Sequence, residues 1–254
     1  MSTVITITNQ KGGTGKTTTA AALLAGLSAK GHAVLGIDFD PQMNLTYAVE
    51  GRDGYSIYGI LIKENQASDA IQHTKEHGDF IIGSQYLSSI STVLTGPGSE
   101  FRLREQLAPV RDQYEYIIID TPPALGILTV NALTASDKVI IPVQASMYDI
   151  QGIVQLGDTI AQVKQYTNKD IAVDGILVTR YNARLVLSRY LTKNLRDTIA
   201  PKLQTKIYHT TIRDAVGIRE AAMEQRSMFA YAPDSPGVED YRHFVDEFLS
   251  LSEK

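Results

Sequence analysis

The stretch VITITNQKGGTGKTTTA, residues 4–20, joins a β-branched run to a glycine-rich loop and the start of a helix-forming segment. Its residues Gly15, Lys16 and Thr17 fit the end of the phosphate-binding pattern G-x-x-x-x-G-K-[ST], although Gln10 stands where that pattern begins with glycine. Glycines let backbone N–H groups approach phosphate oxygens, and the N-terminus of the following helix adds favourable partial charge. The stretch therefore predicts a phosphate-binding loop (P-loop) between a strand and a helix.

The chemistry of such a loop assigns roles to individual side chains. The lysine contacts the β- and γ-phosphates, and the following hydroxyl ligates Mg²⁺. Lys16 and Thr17 are the residues that the pattern places in these roles. The nucleotide-binding residues predicted from this loop are Gly12, Gly13, Thr14, Gly15, Lys16, Thr17 and Thr18, and they follow an additional lysine, Lys11, for which the pattern gives no role.

A dinucleotide-binding fingerprint, G-x-G-x-x-G with an acid about twenty residues later, competes for the same glycines. Gly13 and Gly15 fit its start, and Asp38 has roughly the expected spacing. However, the third glycine position is Thr18, and the fingerprint has no use for the lysine and threonine after the second glycine. The sequence favours the P-loop.

Three carboxylates follow apolar strand-like runs. Tyr116–Asp120 ends in a single acid, and Val34–Asp38 is followed two residues later by Asp40. Because the carboxyl ends of parallel strands meet at one edge of a sheet, these acids should lie beside the phosphates. We expect Asp120 to hold hydrated Mg²⁺, and one of the other two acids to help the metal shell while its neighbour orients the attacking water. The predicted metal site comprises Thr17, Asp120 through water, and Asp38.

Apolar runs alternate with helix-length segments along the chain, in which 43% of the residues are apolar. The predicted strands are Val4–Thr8, Val34–Asp38, Phe80–Gly83, Tyr116–Asp120, Lys138–Val143, Val173–Thr179 and Lys206–Thr210. The predicted helices include Lys16–Lys30, Arg102–Gln113, Gly126–Ala135, Ile150–Tyr166 and Leu185–Ile199. This alternation indicates an α/β fold with a doubly wound, mostly parallel sheet and helices on both faces. Residues 1–254 are expected to form one domain.

Composition excludes several kinds of protein. There are no cysteines, so disulfides, thiolate metal sites and cysteine-ligated iron–sulfur clusters are ruled out. The N-terminus lacks the basic start and long apolar run of a signal peptide, and no run of 18 apolar residues occurs. The expected location is the cytoplasm.

Three motifs together resemble the ParA/MinD family of ATPases with a deviant Walker A motif, and within it the ParA/Soj type. They are KGGTGKTT (11–18), DFDPQMNLT (38–46) and YIIIDTPPALGILTVNAL (116–133). The resemblance implies that Lys11 reaches the partner's phosphates in a homodimer with ATP sandwiched between the subunits. It ties hydrolysis most closely to Asp40, supported by Asp38. The implied catalytic residues are Lys11, Lys16, Asp38 and Asp40, with ATP and Mg²⁺ as cofactors.

The ParA type further implies nonspecific DNA binding, a location on the nucleoid, slow intrinsic turnover and a small centromere-binding partner that stimulates the ATPase. Net charge is −4, but residues 180–226 contain ten basic and four acidic residues, which leaves −10 for the rest. Arg189, Lys193 and Arg196 are spaced i, i+4, i+7 and would share one helix face. The predicted DNA-binding residues are Arg189, Lys193, Arg196 and Arg219; such a patch suits phosphates without reading bases.

Other branches of the family fit less well. The nitrogenase-reductase and iron–sulfur carrier branches require cysteines, and MinD ends in a basic amphipathic helix that lies on membranes. Here the last helix has an apolar stripe typical of core packing and an acidic polar face, so no membrane partner is expected. With a first strand near residue 3, no N-terminal helix-turn-helix domain is expected either.

One segment departs from the family pattern. Many ParA proteins have Pro-Arg-Asn near the nucleotide base, whereas this chain reads Thr211–Ala215 without a proline, which leaves base recognition open. Two other functions also remain open. One is a MinD-like positioning ATPase that acts on a membrane or protein scaffold, and the other is a P-loop ligase or kinase that acts on a small metabolite.

Overall fold

One sheet of eight strands organises the computed structural model, which describes residues 2–144 and 147–252. In chain order the strands are β1 (Thr3–Ile7), β2 (Val34–Asp38), β3 (Gln72–His73), β4 (Asp79–Ile81), β5 (Tyr116–Asp120), β6 (Lys138–Gln144), β7 (Ala172–Thr179) and β8 (Ile207–Thr211). Their order across the sheet is β3-β4-β2-β5-β1-β6-β7-β8. Every neighbouring pair is parallel except β3 with β4. The predicted fold class is confirmed.

All seven predicted strands are present with small shifts at their ends. The largest shift concerns β4, which ends at Ile81, whereas its apolar run predicted Gly83. Of the strands that the structure describes, only β3 was not predicted. It has two residues, one of them exposed, and it lies at the edge of the sheet. A strand this short has no periodic pattern to detect.

Thirteen α-helices are described. They are α1 (Lys16–Ala29), α2 (Asn44–Ala48), α3 (Ile57–Leu61), α4 (Ala67–Ala70), α5 (Ile90–Val93), α6 (Arg102–Arg111), α7 (Ile127–Ala135), α8 (Met147–Tyr166), α9 (Val186–Asn194), α10 (Ala200–Lys202), α11 (Val216–Met223), α12 (Met228–Tyr231) and α13 (Pro236–Ser252). The five helices predicted from the sequence are confirmed. The last of them, Leu185–Ile199, is α9 continued by a π-helical turn over Leu195–Ile199.

Helices cover both faces of the sheet, and this explains why the central strands are apolar throughout. Along β1, Ile5 and Ile7 belong to the core beneath α1 and α13, whereas Val4 belongs to the core beneath α6 and α7. The five residues of β2 are all buried. Because helices cover both faces of the sheet, the charged side chains of the central strands lie at the ends of these strands.

The apolar stripe of α13 packs into the core as its spacing predicted, with Tyr241, Phe244 and Phe248 no more than 2% exposed. Its acids, however, do more than form a solvated face. Glu247 accepts hydrogen bonds from the backbone N–H groups of His209 (2.7 Å) and Thr210 (2.9 Å) on the edge strand β8. These bonds occupy donors that an unprotected edge strand would offer to another chain.

Candidate nucleotide-binding site

The predicted carboxylates and the P-loop meet at the carboxyl edge of the sheet. Strand β5 lies between β1 and β2, and Asp120 is the register neighbour of both Ile7 and Asp38. The P-loop leaves β1 at this edge and leads into α1. The topology thus brings together groups from three separate parts of the chain, as the sequence predicted.

Backbone geometry in the loop depends on its glycines. Gly13 has φ 78° and Gly15 has φ 93°, the left-handed region that disfavours other residues. Gly15 is the N-cap of α1, so the free N–H groups of the first helical turn face the loop. Gln10 in place of the usual leading glycine leaves this arrangement intact.

Neighbouring strands hold the loop through contacts that sequence patterns did not reveal. The Thr179 hydroxyl, at the end of β7, donates to the carbonyl oxygens of Thr14 (2.7 Å) and Val143 (3.1 Å). The Gln144 side-chain amide, at the end of β6, donates to the carbonyl of Gly13 (2.8 Å). These two side chains fix the loop from the side opposite β5.

Lys16 is the most enclosed cation of the site, with 6% of its surface exposed. Its Nζ donates to the Lys11 carbonyl oxygen at 3.1 Å, so the ammonium lies inside the loop. Burial lowers the pKa of Lys16, while the nearby charges of Asp120 and Asp40 act in the opposite direction. A buried ammonium that the protein only partly satisfies is suited to bind phosphate oxygens.

Asp120 is fully buried, and among the described residues no group donates a hydrogen bond of normal geometry to either of its carboxylate oxygens. Burial, together with the charge of Asp38, raises its pKa well above the ordinary value, although the Thr17 hydroxyl and Lys16 lower it. Buried polar atoms without partners are uncommon and call for an explanation. Water molecules on Mg²⁺ would supply the missing donors, so this carboxylate and the Thr17 hydroxyl fit the predicted metal role.

No cluster of three histidine or acidic side chains suited to hold a metal occurs within the described residues 2–144 and 147–252. Mg²⁺ does not require one, since it keeps several waters and uses one or two protein oxygens together with substrate phosphates. The donor set at Thr17 and Asp120 agrees with that preference.

Asp38 and Asp40 differ in what they contact. The Asp38 carboxylate accepts three hydrogen bonds, from the Asp40 N–H (3.1 Å) and from the N–H and hydroxyl of Thr46 (2.7 Å each). Burial raises the pKa of Asp38 to about 6, and these hydrogen bonds oppose the rise. Asp40 is 7% exposed and lines the cavity next to the P-loop, where its Oδ1 accepts from the Gln42 N–H at 2.9 Å.

A cavity of about 550 Å³ extends from the P-loop towards α11. Beyond the P-loop its lining includes apolar side chains, namely Ile212, Ala215, Ile218, Ala222 and Met228, beside charged ones. Two of these, Ile212 and Ala215, belong to the segment Thr211–Ala215, which lacks the family's proline. Arg213, which also lines the cavity, forms a bidentate pair with Asp240 (2.8 and 2.7 Å), and Asp214 pairs with Arg219 (2.7 Å). The apolar part of this lining is suited to contact a flat aromatic ring.

The remaining predicted residues occupy the surface. Lys11 is partly exposed; its N–H donates to the Asn9 side chain at 3.1 Å. Arg189, Lys193 and Arg196 are all exposed along α9 and the following turn. Arg219 is separate from them, on α11, where it lines the nucleotide cavity. No helix of the described residues is long and apolar enough to cross a membrane.

Known proteins resemble the chain over nearly its full length. A family model described as an AAA domain matches residues 2–173. The sporulation initiation inhibitor protein Soj of Bacillus subtilis is 38% identical over 252 residues, which cover 97% of this chain and 98% of Soj. The chromosome partitioning protein ParA of Myxococcus xanthus is 34% identical over 244 residues, which cover 94% and 84% of the two chains.

Among solved structures, a cobyrinic acid a,c-diamide synthase from Mycobacterium smegmatis, with bound ADP and magnesium, has a TM-score of 0.85. It is 30% identical, and the match covers 100% of this chain and 96% of the synthase. A nucleotide with its metal is the kind of ligand that the buried Lys16 ammonium and the Asp120 carboxylate of this chain are suited to bind. The chain belongs to the Soj/ParA family of chromosome-partitioning ATPases, and its cofactors are ATP and Mg²⁺.

Proposed function

We propose that this protein partitions a plasmid or chromosome through cycles of DNA binding. It dimerises on ATP, binds DNA of any sequence as that dimer, and leaves the DNA when a small centromere-binding protein stimulates hydrolysis. Residues 1–254 act as one domain in the cytoplasm, associated with the nucleoid. The observation that supports this function most is the basic face of α9.

Three exposed side chains make up what we call the basic face of α9: Arg189 and Lys193 on the helix itself, and Arg196 on the π-helical turn that continues it. None of them forms an ion pair with a carboxylate in the part of the chain that the structure describes. Unpaired cations on one helix face attract the DNA backbone and release its counterions, which is binding without sequence preference. A dimer doubles the number of such contacts, so affinity would depend on the nucleotide state.

DNA binding by this face can be tested with a triple substitution of Arg189, Lys193 and Arg196 to Gln. The logarithm of the DNA affinity should vary less steeply with the logarithm of salt concentration, by about 0.9 per lost phosphate contact. The control replaces three lysines that are exposed elsewhere, Lys63, Lys164 and Lys169, and should keep the wild-type slope. An unchanged slope in the triple variant would place the DNA surface elsewhere.

Dimerisation is proposed to depend on Lys11. Lys16 already provides the loop's internal cation, so a second lysine at the exposed side of the loop is suited to a partner's phosphates. A cation supplied from a second chain stabilises charge in the transition state of phosphoryl transfer. Lys11→Ala should keep ADP affinity but lose ATP-dependent dimers, measured by light scattering, and lose hydrolysis. Normal dimers and turnover in this variant would exclude the cross-dimer role.

A metabolite-directed function is the second candidate, because the M. smegmatis protein of similar fold is named a synthase. A MinD-like function on a membrane or protein scaffold is the third. The ATPase rate separates the first two: a partition protein responds to nonspecific DNA and a protein partner, whereas a synthase responds to its small substrate. Co-sedimentation with plasmid DNA and with anionic liposomes, each with ATP, separates the third.

A further inference from the structure

A buried hydrogen-bond network connects the loop that follows β2 to the end of β4. Asp38 Oδ2 accepts from both the N–H and the hydroxyl of Thr46, each at 2.7 Å. The same hydroxyl accepts a hydrogen bond from the Gly83 N–H at 2.8 Å. Asp38 Oδ1 accepts from the Asp40 N–H at 3.1 Å. The network therefore closes the loop that contains Asp40.

The side chains that form this network are buried. Asp38 is 0% exposed and Thr46 is 6% exposed, so water does not replace these bonds. A Cβ atom added to Gly83 would lie 3.1 Å from Asp38 Cγ and 3.2 Å from Met43 Cγ, which is closer than side chains normally pack. Glycine thus lets the end of β4 approach the carboxylate closely.

The neighbouring strand provides a direct comparison. Asp120 is the register partner of Asp38 in the sheet, but within residues 2–144 and 147–252 its two oxygens accept no hydrogen bond of normal geometry. The Oδ2 of Asp38 already accepts two hydrogen bonds, and its Oδ1 accepts one. Of these two adjacent carboxylates, only Asp120 has both oxygens available for waters on a metal.

We infer that Asp38 and Thr46 are positioning residues that hold Asp40 in place for hydrolysis, and that Asp38 is not a magnesium ligand. The inference rests on the proposed function and on the role in hydrolysis that the family resemblance implies for Asp40, which lines the cavity next to the P-loop. The sequence analysis placed Asp38 in the metal site. In the inferred role, Asp38 instead connects β2 to α2 and to the end of β4 through hydrogen bonds.

Thr46→Val tests the inference, because valine keeps the shape but loses both hydroxyl contacts. The expected result is a kcat about tenfold lower, with the KM for ATP and the affinity for Mg·ADP within about twofold of wild type. Thr46→Ser keeps a hydroxyl and should restore most of the rate. The matched control is Thr134→Val, since Thr134 is 1% exposed and its hydroxyl pairs with that of Thr167 at 2.8 Å, away from the site.

Asp38→Asn is the second variant, and it keeps the test valid if Thr46→Val does not fold. A positioning role predicts a lower kcat but an unchanged Mg²⁺ concentration for half-maximal tightening of ADP binding, measured with a fluorescent nucleotide. A metal ligand would instead shift that concentration upwards by about tenfold or more, which would overturn the inference. A Thr46→Val enzyme with wild-type kcat would also overturn it.

Asp40→Ala separates a failure of the role assumed for Asp40 in hydrolysis from a failure of the positioning role inferred for Asp38 and Thr46. If Asp40→Ala hydrolyses ATP normally, the proposed role of Asp40 is wrong. If Asp40→Ala is inactive while Thr46→Val and Asp38→Asn are normal, only the positioning inference fails.

Discussion

The carboxyl edge of the sheet, which carries the nucleotide-binding site, and the basic face of α9 both contain many charged side chains. They differ in how far the surrounding structure fixes the positions of those side chains. At the edge, Lys16, Asp38 and Asp120 are between 0% and 6% exposed, and the surrounding strands fix their positions. On α9, Arg189 and Lys193 extend into solvent. The first region has its geometry before any ligand arrives, whereas the second adapts to whatever surface it meets.

This difference predicts how each region responds to substitution. Removal of one partner from a set of buried charges leaves the others desolvated and unpaired, so single changes at the edge should have large effects. Exposed charges on α9 act through the number of counterions that they release, so each contributes a modest, salt-dependent share. Substitutions in the two regions therefore test whether this division is correct.

Lys16→Ala should have the largest effect, a loss of ATP affinity of about 10³-fold, because the loop would lose the buried ammonium that is suited to bind phosphate. Isothermal titration with Mg·ADP and Mg·ATP measures it. Lys30→Ala is the control, since Lys30 follows the other end of α1 and pairs on the surface with Asp246 at 2.7 Å. Nucleotide affinity that survives in Lys16→Ala would show that the buried edge does not bind the phosphates.

Asp40→Ala should reduce ATP hydrolysis by about 10²-fold, the usual contribution of a group that orients or deprotonates an attacking water. Nucleotide affinity should change little, so the variant should accumulate as an ATP-bound dimer on DNA. Stopped ATPase assays and DNA co-sedimentation in ATP check both parts. The surface variant Asp112→Ala should behave as wild type. Loss of DNA binding together with hydrolysis would contradict a purely hydrolytic role.

Local patterns predicted the fold well because the sheet follows local rules. Most of its strands are rich in β-branched and other apolar residues and alternate with helices, so seven of the eight described strands could be recognised. The short helices between residues 44 and 94, such as α3 and α4, have only four or five residues each. Segments this short gain their stability from packing against the rest of the chain, so no hydrophobic periodicity in the sequence predicts them.

The site was predictable only where a motif is contiguous. The P-loop and the acids at strand ends are readable, but Thr179 contacts Thr14 across 165 positions of sequence, and Gly83 contacts Thr46 across 37. Threonine and glycine at those positions have no distinguishing pattern in one sequence. Their importance follows from which strands are neighbours, and sheet order emerges only from the folded chain.

His77 allows a test of the buried region by pH. Burial lowers its pKa to about 4, although Glu76 acts in the opposite direction. The unfolded chain, with an ordinary histidine pKa near 6.5, binds more protons between these values, so the free energy of unfolding should fall as pH drops from about 6.5 to about 4. The loss is about 3 kcal/mol at the lower limit. Charged side chains that line the small cavity beside His77 are Glu50, Lys75, Glu76, Glu224 and Arg226.

Chemical denaturation across this pH range, with His77→Gln beside wild type, measures the effect. The variant should lose most of the difference in stability between pH 6.5 and pH 4. His73→Gln, in which an 84% exposed side chain is replaced, controls for the loss of a histidine at the surface. An identical pH dependence in wild type and His77→Gln would mean that other groups account for acid destabilisation.

Arg219 lines the nucleotide cavity but was also predicted to bind DNA, so it belongs completely to neither of the two regions compared above. Its substitution should have the smallest effect. Its guanidinium pairs with Asp214 at 2.7 Å on the surface of α11, so an adjacent negative charge offsets its attraction for phosphate. Arg196→Gln should lower DNA affinity about fivefold near physiological salt, whereas Arg219→Gln should lower it only about twofold. Asp214→Asn should raise DNA affinity, because it exposes the full charge of Arg219. Salt-titrated fluorescence anisotropy compares the three variants. A larger loss for Arg219→Gln than for Arg196→Gln would move the centre of the DNA surface from α9 to the rim of the nucleotide cavity.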